Sequence, residues 1–255
     1  MNGLLAALPA DEYARIASHL TLTPLRARQV LHKKDEPLNQ IVFPGRSLCS
    51  LVVTMEDGAT AEVAVVGAEG LIGVEAVFEQ RMASCDATVQ VAGDGQAFVM
   101  SIDAFRAELA RSPAFELLVR NYAQAFVGFM MQSVACNGLH SVDARCCRWL
   151  LHAQDRLAAN ELPLTHDLIS TMLGVRRPTV TLVMNSLAQA GIVSTSRGAV
   201  RIIDRVMLES RACECYRVIA GTYVRHLSDE ESQSWPASKP VSADGAKFGS
   251  HMSVS

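Results

Sequence analysis

The segment Arg176-Arg177-Pro178-Thr179-Val180-Thr181 carries side chains suited to chemistry with a nucleic acid. A guanidinium can donate two parallel hydrogen bonds to guanine, and a threonine can meet a phosphate or a thymine methyl. Such groups act together only if one element presents them side by side. A helix start does so, and a proline in its first turn forfeits no hydrogen bond. The flanking pattern predicts that helix. Thr165 is a candidate N-cap for a helix over 166–173, with Leu168, Ile169, Met172 and Leu173 on one face. Gly174 supplies its end. A second helix is expected over 176–190, with Val180, Val183, Met184 and Leu187 turned inward. The runs 192–195 and 199–203, joined at Ser196-Arg197-Gly198, carry a hairpin signal.

Helix, tight turn, helix and a two-stranded wing predict a winged helix-turn-helix. Its second helix lies in the major groove with its first residues at base edges. Thr165, Arg176, Arg177, Thr179 and Thr181 are the candidate DNA contacts there, and Arg197 is the candidate in the wing. The competing reading is an ordinary helical hairpin with a polar face.

Charge agrees with the first reading. The chain has 255 residues and a net charge of −3. Residues 165–205 nevertheless hold five arginines against two aspartates. A local cationic patch on an acidic protein suits a phosphate backbone. Hydrophobic residues make up 49% of the chain, enough for a sizeable core. No uninterrupted apolar run reaches membrane-spanning length, so no membrane partner is expected. No basic-then-apolar leader opens the chain, and seven cysteines form no regular disulfide framework. A reducing, cytoplasmic setting is expected.

The rest of the chain must position the reading head. Residues 2–19 read as a short helical segment broken near Pro9, with Leu4, Leu5, Leu8, Tyr13 and Ile16 apolar. From Val30 to Met100 short β-type runs alternate with Pro44-Gly45, Asp57-Gly58, Gly67 and Gly93-Asp94-Gly95. A small β-roll follows from that spacing. Within it, the stretch from Gly67 to Glu75 is rich in glycine and acid. Such a segment either cradles an anion with successive N–H groups or is a plain turn loop. Ser101 predicts the N-cap of a helix bearing Ile102, Phe105 and Leu109. A long helix then follows Pro113. Phe115, Val119, Tyr122, Phe126 and Phe129 recur on it at heptad-like intervals, a candidate dimer seam. A wholly intramolecular core helix is the alternative. Asn137-Gly138 is the expected break and hinge, before an amphipathic helix from His140 to Leu157.

The expected class is therefore α+β, divided into a β-roll over 1–112, a dimerisation helix over 113–138 and a DNA-binding unit over 139–219. Residues 228–255 are rich in Ser, Pro, Asp and Gly and read as a disordered tail. Gly249-Ser250-His251-Met252 within it resembles a cloning scar.

This order, and above all the stretch from Leu162 to Asp204, resembles the Crp/Fnr family of bacterial transcription regulators. Leu71-Ile72-Gly73-Val74-Glu75 is similar to the core of that family's phosphate-binding cassette. The resemblance implies a β-roll of the cyclic-nucleotide-binding type, a double-stranded β-helix. It also implies a homodimer joined through the long helix, a near-palindromic DNA site and contact with RNA polymerase. It places the effector pocket at Gly73, Glu75, Ser84, Cys85 and Asp86. Two departures bear on the cofactor. Val74, not an acid, follows Gly73, and Ser84-Cys85-Asp86 offers no arginine for a cyclic phosphate. These argue against cyclic AMP and leave the effector unassigned. No cysteine precedes Cys49, which argues against the amino-terminal iron–sulfur cluster of oxygen-sensing members.

Other motifs carry less. Cys146-Cys147 and Cys213-Glu214-Cys215 lack metal-finger spacing, and the histidines form no close pair, so structural roles and no metal are expected. No nucleophile elbow, phosphate-binding loop or paired-carboxylate motif supports an enzyme. A ligand- or thiol-sensing module whose helix-turn-helix contacts protein is the second functional reading.

Overall fold

The computed structural model describes residues 1–227, and the expectations about the tail and its Gly249–Met252 stretch fall outside these residues. The amino terminus forms α1 (Gly3–Ala6) and α2 (Ala10–Ala17), separated at Pro9 as predicted. The Asn2 side chain is buried and caps α1 by accepting from the Leu5 N–H at 3.2 Å. Its amide also donates to the carbonyls of Pro44 and Gly70 at 2.9 and 2.8 Å, fixing the arm to the β-roll.

The β-roll contains β1 (Thr21–Pro24), β2 (Val30–His32), β3 (Gln40–Pro44), β4 (Leu48–Thr54), β5 (Thr60–Val66), β6 (Asp86–Val91) and β7 (Gln96–Ser101). They form a three-stranded sheet ordered β1-β7-β3 and a four-stranded sheet ordered β2-β6-β4-β5. The β4–β5 hairpin turns at Met55–Gly58, where Gly58 has φ +82° and the Asp57 carboxylate accepts from the Ala59 N–H. The side chains of Ile41, Phe43, Leu48, Val65, Val89 and Met100 make the shared interior. β1 carries no alternation of burial, being mostly exposed, so hydropathy alone does not reveal it.

After β7, α3 (Ile102–Arg111) is capped by Ser101, and α4 (Pro113–Leu139) by Ser112. α4 continues past the expected hinge. Asn137-Gly138 lies inside its last turn, and the chain leaves the helix at His140, which is extended. α5 (Val142–Leu157) then starts from a Ser141 cap. The hinge expectation is therefore corrected to 140–141. One glycine in a helix costs only about 1 kcal/mol, which the packing of neighbouring Cys136 can offset.

The carboxy-terminal unit comprises β8 (Glu161–Leu162), α6 (His166–Leu173), α7 (Arg177–Gln189), β9 (Val193–Ser196), β10 (Ala199–Ile202), α8 (Arg205–Arg211) and α9 (Cys215–Leu227). The wing is three-stranded, ordered β8-β10-β9. α9 returns along α4 and closes over it, with the Tyr223 ring 6.3 Å from Tyr122 and 6.5 Å from Phe129.

That return corrects the seam. Phe115, Val119, Tyr122, Phe126 and Phe129 are at most 3% exposed, enclosed by α3, the β-roll and α9 of the same chain. They do not face a second subunit. The opposite side of α4 is apolar and open, with Leu117 61%, Val127 37%, Met131 70% and Val134 74% exposed.

Candidate nucleic-acid interface and ligand sites

The reading head is built from its turn outward. Thr165 accepts from the Leu168 N–H at 3.1 Å and so starts α6. Gly174 ends α6 at φ +64°, a conformation that costs glycine little. The Arg145 guanidinium of α5 donates to the last α6 carbonyl, that of Leu173, at 2.6 Å. Val175 then turns the chain, and α7 begins at Arg177 with Pro178 in its first turn. Val180, Met184 and Leu187 are fully buried against Ile169, Leu173 and Ile192.

This packing leaves the other face of α7 in solvent. Arg176, Arg177 and Pro178 are exposed, as is Leu182, while Thr179 and Thr181 are half-buried. Arg177 Nε lies 3.3 Å from the exposed Asp167 carboxylate of α6. Thr181 Oγ bonds to the Arg177 carbonyl and His166 Nδ1, both at 3.2 Å. Arg197 stands exposed at the tip of the wing, beside Gly198. The structure thus places Arg176 and Arg177 in solvent at the start of α7, with Thr179 and Thr181 on opposite flanks of the exposed face that carries Leu182. Thr165 serves as a helix cap with its hydroxyl already engaged. Asp167 is the neighbouring residue that sequence reasoning passed over. An acid in a first helical turn reads simply as a favourable dipole partner.

The expected effector pocket has a different texture. Glu75 accepts from the Ser84 N–H at 3.1 Å, and Asp86 accepts from the Lys34 N–H at 2.8 Å. Burial pushes the Cys85 thiol up to about 12, and Glu75 and Asp86 add to the effect. It therefore stays protonated at neutral pH and is a poor reactive sensor. Gly73 has φ +96°, and a Cβ there would come within 2.8 Å of Ile41 Cδ1. So Gly73, Glu75, Ser84 and Cys85 do come together, with Asp86 alongside on β6. Yet they offer two carboxylates, a buried thiol and no guanidinium, and this set does not fit a cyclic phosphate. A cleft of about 410 Å³ lies elsewhere, between the 74–78 turn, α3 and α4, and Arg81, Arg106 and Arg120 line it.

The glycine- and acid-rich loop at 67–70 holds an anion of its own. The Gly67 N–H donates to Glu69 Oε1 at 3.2 Å, and Arg156 of α5 pairs with the same oxygen at 2.8 Å. Both side chains of the pair are buried. Gly70 permits the approach of Tyr122, whose ring would meet a Cβ within 2.6 Å. The loop therefore fastens the β-roll to α4 and α5 instead of cradling a ligand. Nearby, Glu62 of β5 accepts from Trp149 Nε1 of α5 at 2.8 Å and from Ser50. Burial lifts its carboxyl to about 7 against the pull of those bonds and of Arg156 and Arg148.

The cysteines divide. Cys146 and Cys147 are simply buried in the main core. Cys213 and Cys215 meet Cys136 and His140 in a separate cluster, which neither local motif indicates. The i, i+4 pair Cys136/His140 at the end of a helix was the available signal.

Two family profiles match the chain. The cyclic nucleotide-binding domain covers residues 22–112, and the Crp-like helix-turn-helix domain covers residues 144–211. The chain belongs to the Crp/Fnr family of transcriptional regulators. Solved structures agree in fold. A CRP-family transcriptional regulator from Thermus thermophilus is 18% identical, with a TM-score of 0.63 over 75% of this chain and 96% of that one. The c-di-GMP-responsive global regulator CLP of Xanthomonas campestris is 13% identical, with a TM-score of 0.61 over 76% and 99%. FixK2 of Bradyrhizobium japonicum is 18% identical, with a TM-score of 0.59 over 76% and 98%. No curated protein matches by sequence. As a Crp/Fnr regulator the chain pairs a nucleotide-binding-type β-roll with a DNA-binding head. No described helix is long and apolar enough to cross a membrane.

Proposed function

We propose that this Crp/Fnr regulator binds a near-palindromic duplex as a homodimer in the cytoplasm, and that it is not an enzyme. The carrying observation is the solvent-facing cationic start of α7 on a Crp-like head. Arg176, Arg177, Thr179 and Thr181 enter the major groove, and Arg197 holds the flanking phosphates. Leu182, exposed beside them, meets a thymine methyl or a sugar.

The dimer forms along the open side of α4. Val127, Met131 and Val134 follow one another at intervals of four and three, the spacing of a parallel helical seam. Leu117 extends the stripe toward the amino end. Two heads held by that seam address half-sites about one helical turn apart. RNA polymerase is the partner through which a DNA-bound dimer changes transcription. A small effector other than cyclic AMP sets the placement of the heads, through unequal affinity for two arrangements.

Selection of preferred duplexes from a random pool tests this. The expected product is a two-fold symmetric motif bound with steep salt dependence. Recovery of no motif, with no salt-dependent binding to any duplex, overturns it and leaves the head as a protein-contact surface.

A further inference from the structure

At the carboxy-terminal end of α4, four metal-type ligands converge. Cys136 lies in the last turn of α4 and His140 is the extended residue that caps it, while Cys215 opens α9 and Cys213 precedes it by two residues. Their donor atoms all lie within 4.8 Å of one another. Cys136 Sγ is 3.5 Å from Cys213 Sγ, and Cys215 Sγ is 3.6 Å from His140 Nδ1. The three cysteines are buried apart from the main core, and the histidine is partly exposed.

The two closest of these spacings match a single tetrahedral cation. A tetrahedral cation with bonds of about 2.3 Å to sulfur and about 2.0 Å to nitrogen sets its donors about 3.5–3.8 Å apart. An iron–sulfur cluster interposes its own iron and sulfide between the thiolates and needs them farther apart. The surroundings also suit a cation. His140 turns Nε2 to the Glu214 carboxylate at 3.2 Å, which leaves Nδ1 facing the sulfurs. A ligand histidine commonly has such a carboxylate behind it. Gln132 Nε2 donates to Cys215 Sγ at 3.0 Å, a contact suited to an electron-rich thiolate. Arg145 and Arg148 of α5 lie close enough to act electrostatically on the thiols.

We infer that Cys136, His140, Cys213 and Cys215 form a Cys₃His site for one zinc-type divalent cation, which joins the end of α4 to the start of α9. On binding, each thiol releases its proton to solvent, the cation sheds water, and no electron is transferred. Three thiolates and a neutral imidazole leave the closed site with one negative charge, beside the two arginines. All four positions are filled by protein, the pattern of a structural centre. The cation fixes the 140–141 break between the long helix and the DNA-reading unit. The site stands whether or not the head reads DNA.

The test uses the untagged full chain, reduced and stripped of metal, titrated with cobalt(II). The expected result is one cobalt per chain, with thiolate charge-transfer bands and the strong visible bands of tetrahedral cobalt. Equimolar zinc should erase both. Cys213→Ser should remove the charge-transfer intensity of one thiolate, and Glu214→Gln should weaken binding about 10–100-fold. Cys85→Ala, in the β-roll, should change neither. A folded parent chain that binds no cobalt, or gives only the faint spectrum of an octahedral ion, overturns the site. So does unchanged binding in Cys213→Ser. A Cys136–Cys213 disulfide in chain isolated without air would replace the metal site with a redox pair.

Discussion

Arg177 and Asp167 face each other across the helix turn, Nε to Oδ1 at 3.3 Å, both in solvent. An exposed pair of this kind contributes about 0–1 kcal/mol, so a guanine or phosphate can take the arginine from it. In the proposed complex the freed Asp167 is left near the DNA backbone, where its charge opposes binding. Arg177→Ala is expected to cost about 1–3 kcal/mol and to relax preference at one base position. Asp167→Asn should tighten binding to all duplexes, most at low salt. Anisotropy titrations over a set of single-base operator variants distinguish the two effects.

On the proposed reading Arg197 has a different role, because a wing-tip guanidinium that meets phosphate carries no sequence information. Arg197→Ala should weaken binding about equally on every duplex. The slope of log K against log salt should shrink by about one. A change confined to one base position would reassign the residue to base readout.

The two faces of α4 predict opposite phenotypes. Met131→Glu places a charge on the open stripe and should give a folded monomer in sedimentation, with loss of site-specific binding. Phe126→Ala opens a cavity under the same helix and should cost about 3–5 kcal/mol in thermal or denaturant unfolding. Dimer content at temperatures where that variant is folded should be unaffected.

Glu62 gives a pH dependence of definite sign. Its folded carboxyl titrates near 7, above the ordinary carboxylate value. Its contribution is therefore full below the ordinary value and declines as pH rises through about 7. At about 1.4 kcal/mol per unit, the loss is a few kcal/mol at most. Glu62→Gln keeps an acceptor for Trp149 and should flatten stability over that window, as read by denaturant midpoints across pH.

Glu69 and Arg156 are a buried pair, so removing one partner strands a charge. Glu69→Ala should destabilise by about 3–5 kcal/mol, whereas Glu69→Ala with Arg156→Met should recover much of that loss. A double-mutant cycle of unfolding free energies measures the difference.

Much of this architecture was legible in the residues. The helix caps at Ser101 and Thr165, the Gly174 turn and the strands at 40–44, 48–54 and 96–101 follow from local chemistry. What was hidden depended on long-range return of the chain. α9 covers the Phe115–Phe129 stripe, so a heptad spacing that suggested a partner was satisfied from within. The glycine loop at 67–70 looked ready for a ligand because Arg156, its counter-charge, lies far along the sequence. Cys136 and Cys213 are likewise distant in sequence, and no local spacing rule joins them.

The Arg156–Glu69 pair and the Glu62–Trp149 bond lie on the plane where β-roll and DNA head adjoin. Turning the head would admit water to charges that are now dry. Hydration of these groups therefore opposes a change of its angle, alongside any stiffness of the joint. Hydrostatic pressure should favour the turned form, and osmolytes excluded from protein surfaces should hold it back.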